Sequence, residues 1–342
     1  MSRISGDTSL EFGSFFHLPH GLQNRQRSLH VHGQLFGSGR DALLAAVQEG
    51  AQVHGWKKVL LPSYYCAEIA RRIGVFIDVG QYPDTPVSSA FRISTQPDEV
   101  IVAIEYFGTR AHPEVDAGMF IIDRTHAPLV THEYPRKPKY IFGSLRKVLP
   151  LADGGFLSAE TDHLPRPVEL PNQTHLLAAS LMQRAMEIKG EYLRGSRVDK
   201  REFLELYRRG ESLLGSEGPA AMTDQSKLTL ASFDEVAAQA KTRRNVTRLR
   251  RLLGPLPSIV SYAPAASHLV LVADSEDTCN AICSALIARG VFPARLWPIE
   301  ASMAEFAERD LSTRLMVIHA DYRYPLSSMR VLAQRIRESL DI

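Results

Sequence analysis

Short apolar runs, each followed by a segment of helical composition, repeat through the first half of the chain. Runs of this kind are typical of strands that are buried on both faces of a parallel sheet. Their alternation with helices predicts an α/β fold with a mostly parallel sheet flanked by helices. The strand-like runs are 57–62, 75–79, 100–108, 119–122 and 140–142.

The second half of the chain has a different pattern. Between residues 158 and 227 it is helical and charged, and after that strand-like and helical segments alternate again. We therefore predict a large domain over residues 1–230, which includes an N-terminal arm, and a smaller C-terminal α/β domain over residues 231–342. The predicted helices are 67–73, 176–191, 200–211, 232–254, 275–288 and one after Pro325, and the predicted C-terminal strands are 268–272 and 315–319.

Two of the buried runs end in polar side chains. Asp123 follows the run 119–122, and Ser144 and Lys147 follow the run 140–142. Ligands of open α/β sheets bind beyond the carboxyl ends of the strands, so we expect Asp123 and Lys147 to face one pocket. Pyridoxal phosphate requires such a pair, because a lysine amine forms a Schiff base with its aldehyde and a carboxylate keeps its ring nitrogen protonated. In that pocket we expect the Ser144 hydroxyl to bind the phosphate and His126 to contact the ring or its phenolic oxygen.

Four elements of this pattern follow one another in a characteristic order: Asp123, His126, Lys147 and the pair Gly154-Gly155. With them the chain resembles, from about Gly37 to Gly155 and more loosely beyond, the fold-type I pyridoxal-phosphate enzymes, and most of all the DegT/DnrJ sugar aminotransferases. The resemblance implies a mostly parallel, seven-stranded-type sheet flanked by helices, with a smaller C-terminal α/β domain. It also implies that Lys147 is both the covalent anchor of the cofactor and the group that moves protons.

Two further motifs of that family are present in altered form. Gly39 and Arg40 begin an alanine- and leucine-rich helix, whose N-terminus suits a phosphate, although Arg40 stands where the family has threonine. We expect both residues to contact the cofactor. The family's stacking aromatic falls on Cys66, so we predict that Tyr65 stacks on the cofactor ring instead. A thiol at this place also raises a desulfurase alternative, which needs a mobile loop, whereas Cys66 leads directly into a helix.

One candidate for substrate binding lies in the C-terminal part. The segment 291–298 resembles the family segment that approaches the active site, and it contains Arg295. We predict that the planar guanidinium of Arg295 binds the carboxylate of an amino donor. The alternative is a surface arginine beside a packed tryptophan.

Composition narrows the classes of function. With 342 residues, 44% hydrophobic and 23% charged, the chain is typical of globular proteins. Its formal charge of +2 argues against a nucleic-acid partner, and the basic run 241–251 is interpreted as a solvated helical face. Because no apolar run spans a bilayer, no signal-peptide core is present and the cysteines number only three, we predict a cytoplasmic protein that binds no membrane.

The N-terminal segment contains a histidine pair that could suggest a metal site. His30 and His32 would point to the same side of a strand. Acidic or thiol ligands at a companion spacing are missing, so we expect no bound metal. Residues 1–36 are expected to form an arm that packs on the main domain or on a second subunit.

The predicted function is that of an aminotransferase. It would move an amino group from an amino acid, with glutamate as the expected donor, to a keto acceptor. The resemblance implies a nucleotide-linked keto sugar as the acceptor and a homodimer with the active site at the subunit interface. The alternatives are another fold-type I enzyme with lyase-type amino-acid chemistry, or a non-catalytic binding protein of the same fold.

Overall fold

The secondary structure is that of an α/β protein. A computed structural model describes residues 10–18, 33–88, 91–108, 114–128, 134–159, 164–165, 170–256, 259–261, 268–297, 299 and 306–340. Its strands are β1 Phe12–Gly13, β2 Gln34–Phe36, β3 Lys58–Pro62, β4 Asp78–Tyr82, β5 Arg92–Ser94, β6 Glu99–Ile104, β7 Glu114–Ala117, β8 Met119–Asp123, β9 Tyr140–Ser144, β10 Gly155–Ser158, β11 Ile259–Ser261, β12 His268–Ala273, β13 Val291–Phe292 and β14 Leu315–His319. Its helices are α1 Gly39–Val53, α2 Ala67–Ile73, α3 Gln173–Leu193, α4 Lys200–Leu213, α5 Asp224–Ala231, α6 Glu235–Leu253, α7 Glu276–Ala288, α8 Phe306–Arg314 and α9 Ser328–Ser339.

The main sheet has seven strands in the order β2-β10-β9-β8-β6-β3-β4. The five strands from β9 to β4 are parallel to their neighbours, and β10 is antiparallel to both β2 and β9. The central strands β6 and β8 are buried along almost their whole length, as expected for apolar strands with a layer on each face. The predicted mostly parallel sheet is therefore confirmed.

A smaller antiparallel sheet of β11, β12 and β14 lies in the C-terminal part. Alternate residues of β12 face different cores, as the two-residue period of a strand requires. Val270 and Val272 pack in the core of the main sheet, whereas Leu269 and Leu271 pack in a core that includes residues of α6, α7 and α9. The small sheet thus joins the two cores, and the division of the chain into domains at residue 230 stays a prediction.

The described part of the N-terminal segment packs on its own chain. β1 pairs in parallel with β13, and Phe12 is fully buried in the core formed with α6, α7 and α9. The Arg323 guanidinium donates to the carbonyls of Gly13, Ser14 and Phe15. This segment therefore contacts the C-terminal part of the protein.

Two predicted strands have different bounds in the structure. The prediction of a strand over 75–79 is wrong, because the N–H groups of Phe76 and Ile77 both donate to the carbonyl of Ile73 and close a turn. Phe76 is 56% exposed there, and the strand begins only at Asp78. The predicted strand 100–108 ends at Ile104 and continues as a 3₁₀ turn, Tyr106–Gly108.

The helices were easier to predict than the short strands. The predicted helices 67–73, 176–191, 200–211, 232–254 and 275–288 agree with the observed ones to within three residues at each end. Sequence analysis missed α5, α8 and several strands of two to four residues. No helix in the described ranges is long and apolar enough to cross a membrane.

Candidate functional site

The candidate site lies where β8 and β9 end. The two strands are parallel neighbours, with Ile122 opposite Ile141 and Asp123 opposite Phe142. Lys147 is the last residue of the 3₁₀ turn Leu145–Lys147, which follows β9 directly. Since carboxyl ends of parallel strands meet at one edge of the sheet, Asp123 and Lys147 come to the same edge as predicted.

Lys147 is open to solvent, but the surrounding protein changes the pKa of its amine. Its side chain is exposed, yet the surrounding protein lowers the pKa of its amine, first by burial and then through the positive charge of Arg146. In the described part of the chain no group forms a hydrogen bond or ion pair with this amine. A lysine in this state has an increased neutral fraction and is free to attack a carbonyl carbon.

The preceding residue, Arg146, has the opposite environment. Its side chain is buried, donates to the Tyr207 hydroxyl at 3.1 Å, and forms an ion pair with Glu211 of α4. Burial alone would raise the pKa of Glu211, but the charge of Arg146 outweighs it and holds that pKa at about 2. The ion pair fixes the 3₁₀ turn to α4 and engages the Arg146 guanidinium, whereas the Lys147 amine has no such partner among the described residues.

Asp123 is a buried carboxylate with two neutral hydrogen-bond donors. One oxygen accepts the Tyr65 hydroxyl at 2.5 Å, and the other accepts the Thr125 N–H at 2.8 Å. Burial raises the pKa of Asp123 despite these bonds. No lysine or arginine of the described residues pairs with it, so a positively charged ligand group at this position would stabilise the ionised form.

Tyr65, predicted to stack on a cofactor ring, is buried and contacts Asp123 through its hydroxyl. Burial raises its pKa far above the ordinary value, and the Asp123 charge adds to the effect. The phenol therefore stays protonated and donates to the carboxylate. Its role as the stacking residue stays a prediction, while its place beside Asp123 was not predicted.

His126 lies between two aromatic rings. Its ring is stacked on Phe107, with centroids 4.5 Å apart, and on Trp297, with centroids 5.2 Å apart. Burial lowers its pKa to about 3, so the imidazole is neutral. The Phe107 N–H donates to Nδ1 at 3.3 Å, which leaves the proton on Nε2 as a donor. Lys147 lies close enough to contribute to the lowered pKa of His126.

Trp297 is a site residue that sequence analysis missed. It belongs to the segment that follows β13, and its ring centroid lies 5.9 Å from that of Tyr65 and 6.2 Å from that of Tyr64. The Tyr64 hydroxyl donates to the carbonyl of Leu296, which holds the segment over the ends of β3 and β8. The only signal in the sequence was the nearness of Trp297 to Arg295.

The Arg295 side chain forms its hydrogen bonds within the C-terminal part of the chain. Its guanidinium donates to the side chain of Asn280 in α7 and to the carbonyl of Thr313 in α8. To bind a substrate carboxylate, as predicted, it would have to release at least one of these partners.

The glycine-rich turn before α1 packs directly against the end of the sheet. A Cβ atom on Gly39 would lie 3.0 Å from the Ser144 nitrogen, and one on Gly155 would lie 2.3 Å from the Ser38 carbonyl carbon. A side chain at Gly155 would therefore clash with the backbone, and one at Gly39 would be tight. Ser38 caps α1 by accepting the Asp41 N–H at 3.2 Å, so the N-terminus of α1 is fixed beside β9 and β10.

The two predicted phosphate ligands differ in availability. Ser144 is 7% exposed, and its hydroxyl has no hydrogen-bond partner among the described residues. Arg40, by contrast, forms an ion pair with Glu68 at 2.6 Å and donates to the Leu214 carbonyl at 2.9 Å. The structure thus brings Ser144 and the α1 N-terminus together and engages the Arg40 guanidinium elsewhere.

A buried hydrogen-bond cluster packs against the glycine-rich turn that precedes α1. The Asp153 carboxylate, fully buried, lies 2.9 Å from Nε2 of His175 and accepts from the N–H and hydroxyl of Thr223 at 2.8 and 2.7 Å. A Cβ on Gly37 would lie only 2.3 Å from the His175 ring. This cluster joins the loop before β10 to α3 and α5, and sequence analysis gave Asp153 no such role.

No metal site is found among the described residues. Within the described ranges, no three side chains of histidine, cysteine, aspartate or glutamate are grouped as metal ligands would be. His30 and His32 lie outside the described residues.

The chemistry of the donor set fits pyridoxal phosphate. The site offers an unpaired amine of lowered pKa, a buried carboxylate with no cationic partner, and a neutral imidazole with a free Nε2–H. It also offers a hydroxyl without a partner beside a helix N-terminus. These groups correspond to the aldehyde, ring nitrogen, phenolic oxygen and phosphate of that cofactor.

Comparison with known proteins identifies the fold. No protein-family model matches the chain, and no curated protein matches its sequence. Among solved structures, the chain is similar to Helicobacter pylori PseC, an aminotransferase of pseudoaminic acid biosynthesis, with a TM-score of 0.61, 11% identity, and coverage of 97% of this chain and 100% of that one.

Two further solved structures have the same fold. A protein assigned as a sugar aminotransferase of Streptococcus pneumoniae, in its PMP form, has a TM-score of 0.58 at 9% identity, with 90% of this chain and 86% of that chain covered. The sugar aminotransferase CalS13 of Micromonospora echinospora has a TM-score of 0.53 at 13% identity, with 89% and 86% covered. The chain therefore has the fold of the fold-type I sugar aminotransferases, as its sequence predicted.

Proposed function

We propose that this protein is a pyridoxal-phosphate-dependent aminotransferase. The observation that carries the proposal is Lys147: an exposed, unpartnered amine of lowered pKa at the edge of the sheet where the buried Asp123 also lies. A lysine with only a structural role would be paired or hydrogen-bonded, as Arg146 is next to it. The shared fold with sugar aminotransferases supports the same conclusion.

Each site residue has a definite task in this proposal. When bound, pyridoxal phosphate supplies a carbonyl carbon that accepts the amino group and a ring that withdraws electrons. Lys147 Nζ holds the cofactor and moves the proton at the substrate carbon that carries the nitrogen. Asp123 binds the protonated ring nitrogen, and the Tyr65 hydroxyl orients its carboxylate.

His126 and the α1 N-terminus bind the polar edge of the cofactor. The neutral imidazole donates its Nε2–H to the phenolic oxygen, because the Phe107 N–H already occupies Nδ1. The N–H groups of Gly39 and Arg40 precede the first hydrogen bond of α1, which Ala42 donates to Ser38. They are free to bind the phosphate together with the Ser144 hydroxyl.

The Arg40 guanidinium acts on the phosphate through charge rather than through contact. Its partners are Glu68 and the Leu214 carbonyl, and its charge still contributes to the lowered pKa of Lys147. Arg295 is proposed to bind the carboxylate of the amino donor after it releases Asn280.

The proposed acceptor is a nucleotide-linked keto sugar, and the proposed donor is glutamate. Support for the sugar comes from the three similar structures, two of which are named as sugar aminotransferases and one as an aminotransferase of pseudoaminic acid biosynthesis. The Streptococcus pneumoniae protein has been solved in both PMP and PLP forms, which supports the cofactor. We also propose a homodimer that completes the site at its interface.

The absorption spectrum of the protein loaded with pyridoxal phosphate tests the proposal. Glutamate should remove the visible band of the bound cofactor as the cofactor becomes aminated, and α-ketoglutarate should restore it. A band that survives every amino donor while ammonia or carbon dioxide is released would instead support the lyase alternative. A protein that gives no visible band with the cofactor would contradict the proposal itself.

A further inference from the structure

A groove lies between α6 and the beginning of α9, away from the ends of β8 and β9. Its volume is about 650 Å³, which is within the range of roughly 300–1,000 Å³ of small-molecule sites. In the described part of the chain, no residue that lines the groove contacts Lys147, Asp123 or His126. It is lined by Arg243, Arg244, Thr247, Arg248, Arg251, Leu326, Ser327 and Arg330.

The arginines of this groove have no anionic partner. Within the described residues, the five arginine side chains of the groove form neither an ion pair nor a hydrogen bond. Elsewhere arginines on the same protein are paired with carboxylates, for example Arg201 with Asp199 and Arg208 with Glu205. The sequence contains no aspartate or glutamate between Glu235 and Asp274, so α6 supplies no neutralising charge after its first residue.

The side chains of the groove come to one place because of helical spacing. Arg244, Arg248 and Arg251 lie four and three residues apart, on the face of α6 opposite to buried residues such as Val246 and Leu249. Arg330 adds a fifth charge from the first turn of α9. Like charges held together repel one another, and a bound anion removes that cost.

The chemistry of the lining favours phosphate over other anions. Arginine forks bind phosphate oxygens in pairs, and the hydroxyls of Thr247 and Ser327 add two further donors. The first three N–H groups of α9 already donate to the carbonyls of residues 325–327, so the donors of the groove are its side chains. Five arginines offer more donors than one phosphate accepts, so the site suits two linked phosphates.

We infer that this groove binds a small molecule with a diphosphate group. The arginines of α6 lie within the nine residues from Arg243 to Arg251, or roughly 12 Å of helix, which matches a compact anion. A polynucleotide would need a basic track that extends further along the surface. The ligand site is separate from the Lys147 site, and the inference does not depend on the proposed reaction.

Calorimetric titration with inorganic pyrophosphate tests this inference. The full-length protein is first saturated with pyridoxal phosphate, so that the proposed cofactor site cannot take up the probe. The groove variant is Arg244→Gln/Arg248→Gln. The matched control is Arg201→Gln/Arg208→Gln, which removes the same charge from α4 at side chains that are 90% and 70% exposed.

The expected result is pyrophosphate binding that is at least about tenfold weaker in the groove variant and unchanged in the control, since each lost charge-assisted bond weakens affinity by roughly tenfold or more. Equal affinity in the wild type and the groove variant would overturn the inference. The same applies if pyrophosphate does not bind, or if only a single-stranded oligonucleotide binds. A loss of the same size in the control would mean that net charge, not the groove, determines binding.

Discussion

The proposed cofactor lysine, Lys147, and a second lysine, Lys189, both have a lowered pKa but lie in different surroundings. Burial lowers the pKa of both amines, and the charge of a neighbouring arginine adds to the effect in each case, Arg146 for the first and Arg323 for the second. For Lys189 the pKa falls to about 7. A lowered pKa alone would therefore mark both lysines as candidates.

Their partners separate the two regions. Lys189 is 3% exposed, donates to the carbonyl of Phe15, and lies 4.5 Å from the centre of the Phe15 ring. It holds the N-terminal segment on α3. Lys147 is open to solvent and has no partner among the described residues. The two lysines therefore share a lowered pKa but differ in exposure and hydrogen bonding, and the amine proposed to react is the one that is open to solvent.

Replacing Lys147 should have the largest effect. We expect Lys147→Ala to lower the rate of transamination at least about a thousandfold, because the group that moves the proton is lost. Lys189→Met is the control and should keep the wild-type rate under conditions where it is folded. The measurement is single-turnover loss of the cofactor band with glutamate. A comparable loss of transamination rate in both variants would show that Lys147 and Lys189 do not differ in function.

The Asp123→Asn variant should have an intermediate effect. An amide cannot balance a protonated ring nitrogen, so we expect a rate about a hundredfold lower at saturating cofactor. Asp116→Asn, at an exposed ion pair with Arg92, serves as the control and should match the wild type. Stopped-flow absorbance measures both variants. An unchanged rate in Asp123→Asn would show that this carboxylate does not bind the ring.

The Lys189→Met variant should show the smallest effect, which is on stability and depends on pH. Because the folded-state pKa, about 7, lies below the ordinary value of 10.5, the unfolded chain binds the extra proton between these values. The contribution of Lys189 to the free energy of unfolding of the wild type therefore increases with pH across that window, by up to about 1.4 kcal/mol per pH unit.

The stability of Lys189→Met relative to the wild type should accordingly decrease from pH 7 to pH 9. Urea unfolding at several pH values measures this difference directly. If the difference stays constant over that range, the amine of Lys189 is not held at a lowered pKa.

The fold was predictable because its signals are local. Apolar runs with polar ends gave β6, β8 and β9, and helical spacing gave α2, α3, α4, α6 and α7. The predicted start of a strand at residue 75 was wrong. The composition of residues 75–79 favours a strand, but hydrogen bonds to the Ile73 carbonyl close a turn there at the end of α2. Strands of two to four residues, such as β1 and β13, depend on pairing between segments that are distant in the sequence.

The positions of the candidate site residues were predictable only where the end of a strand carries the group. Asp123, Ser144 and Lys147 follow β8 and β9, so a sequence pattern suffices to bring them to one edge. The neighbours of these residues depend on tertiary contacts. The bond from Tyr65 to Asp123 and the stacking of Trp297 on His126 join residues 58 and 171 positions apart, and no local pattern encodes them.

Covalent trapping identifies the lysine that binds the cofactor. The protein is loaded with pyridoxal phosphate, reduced with borohydride and digested, and the peptides are analysed by mass spectrometry. We expect one reduced cofactor on Lys147 and none on Lys189, because, of these two amines, it is that of Lys147 that is open to solvent and has no partner among the described residues. A label on Lys189 or on another lysine, with Lys147 unmodified, would contradict it.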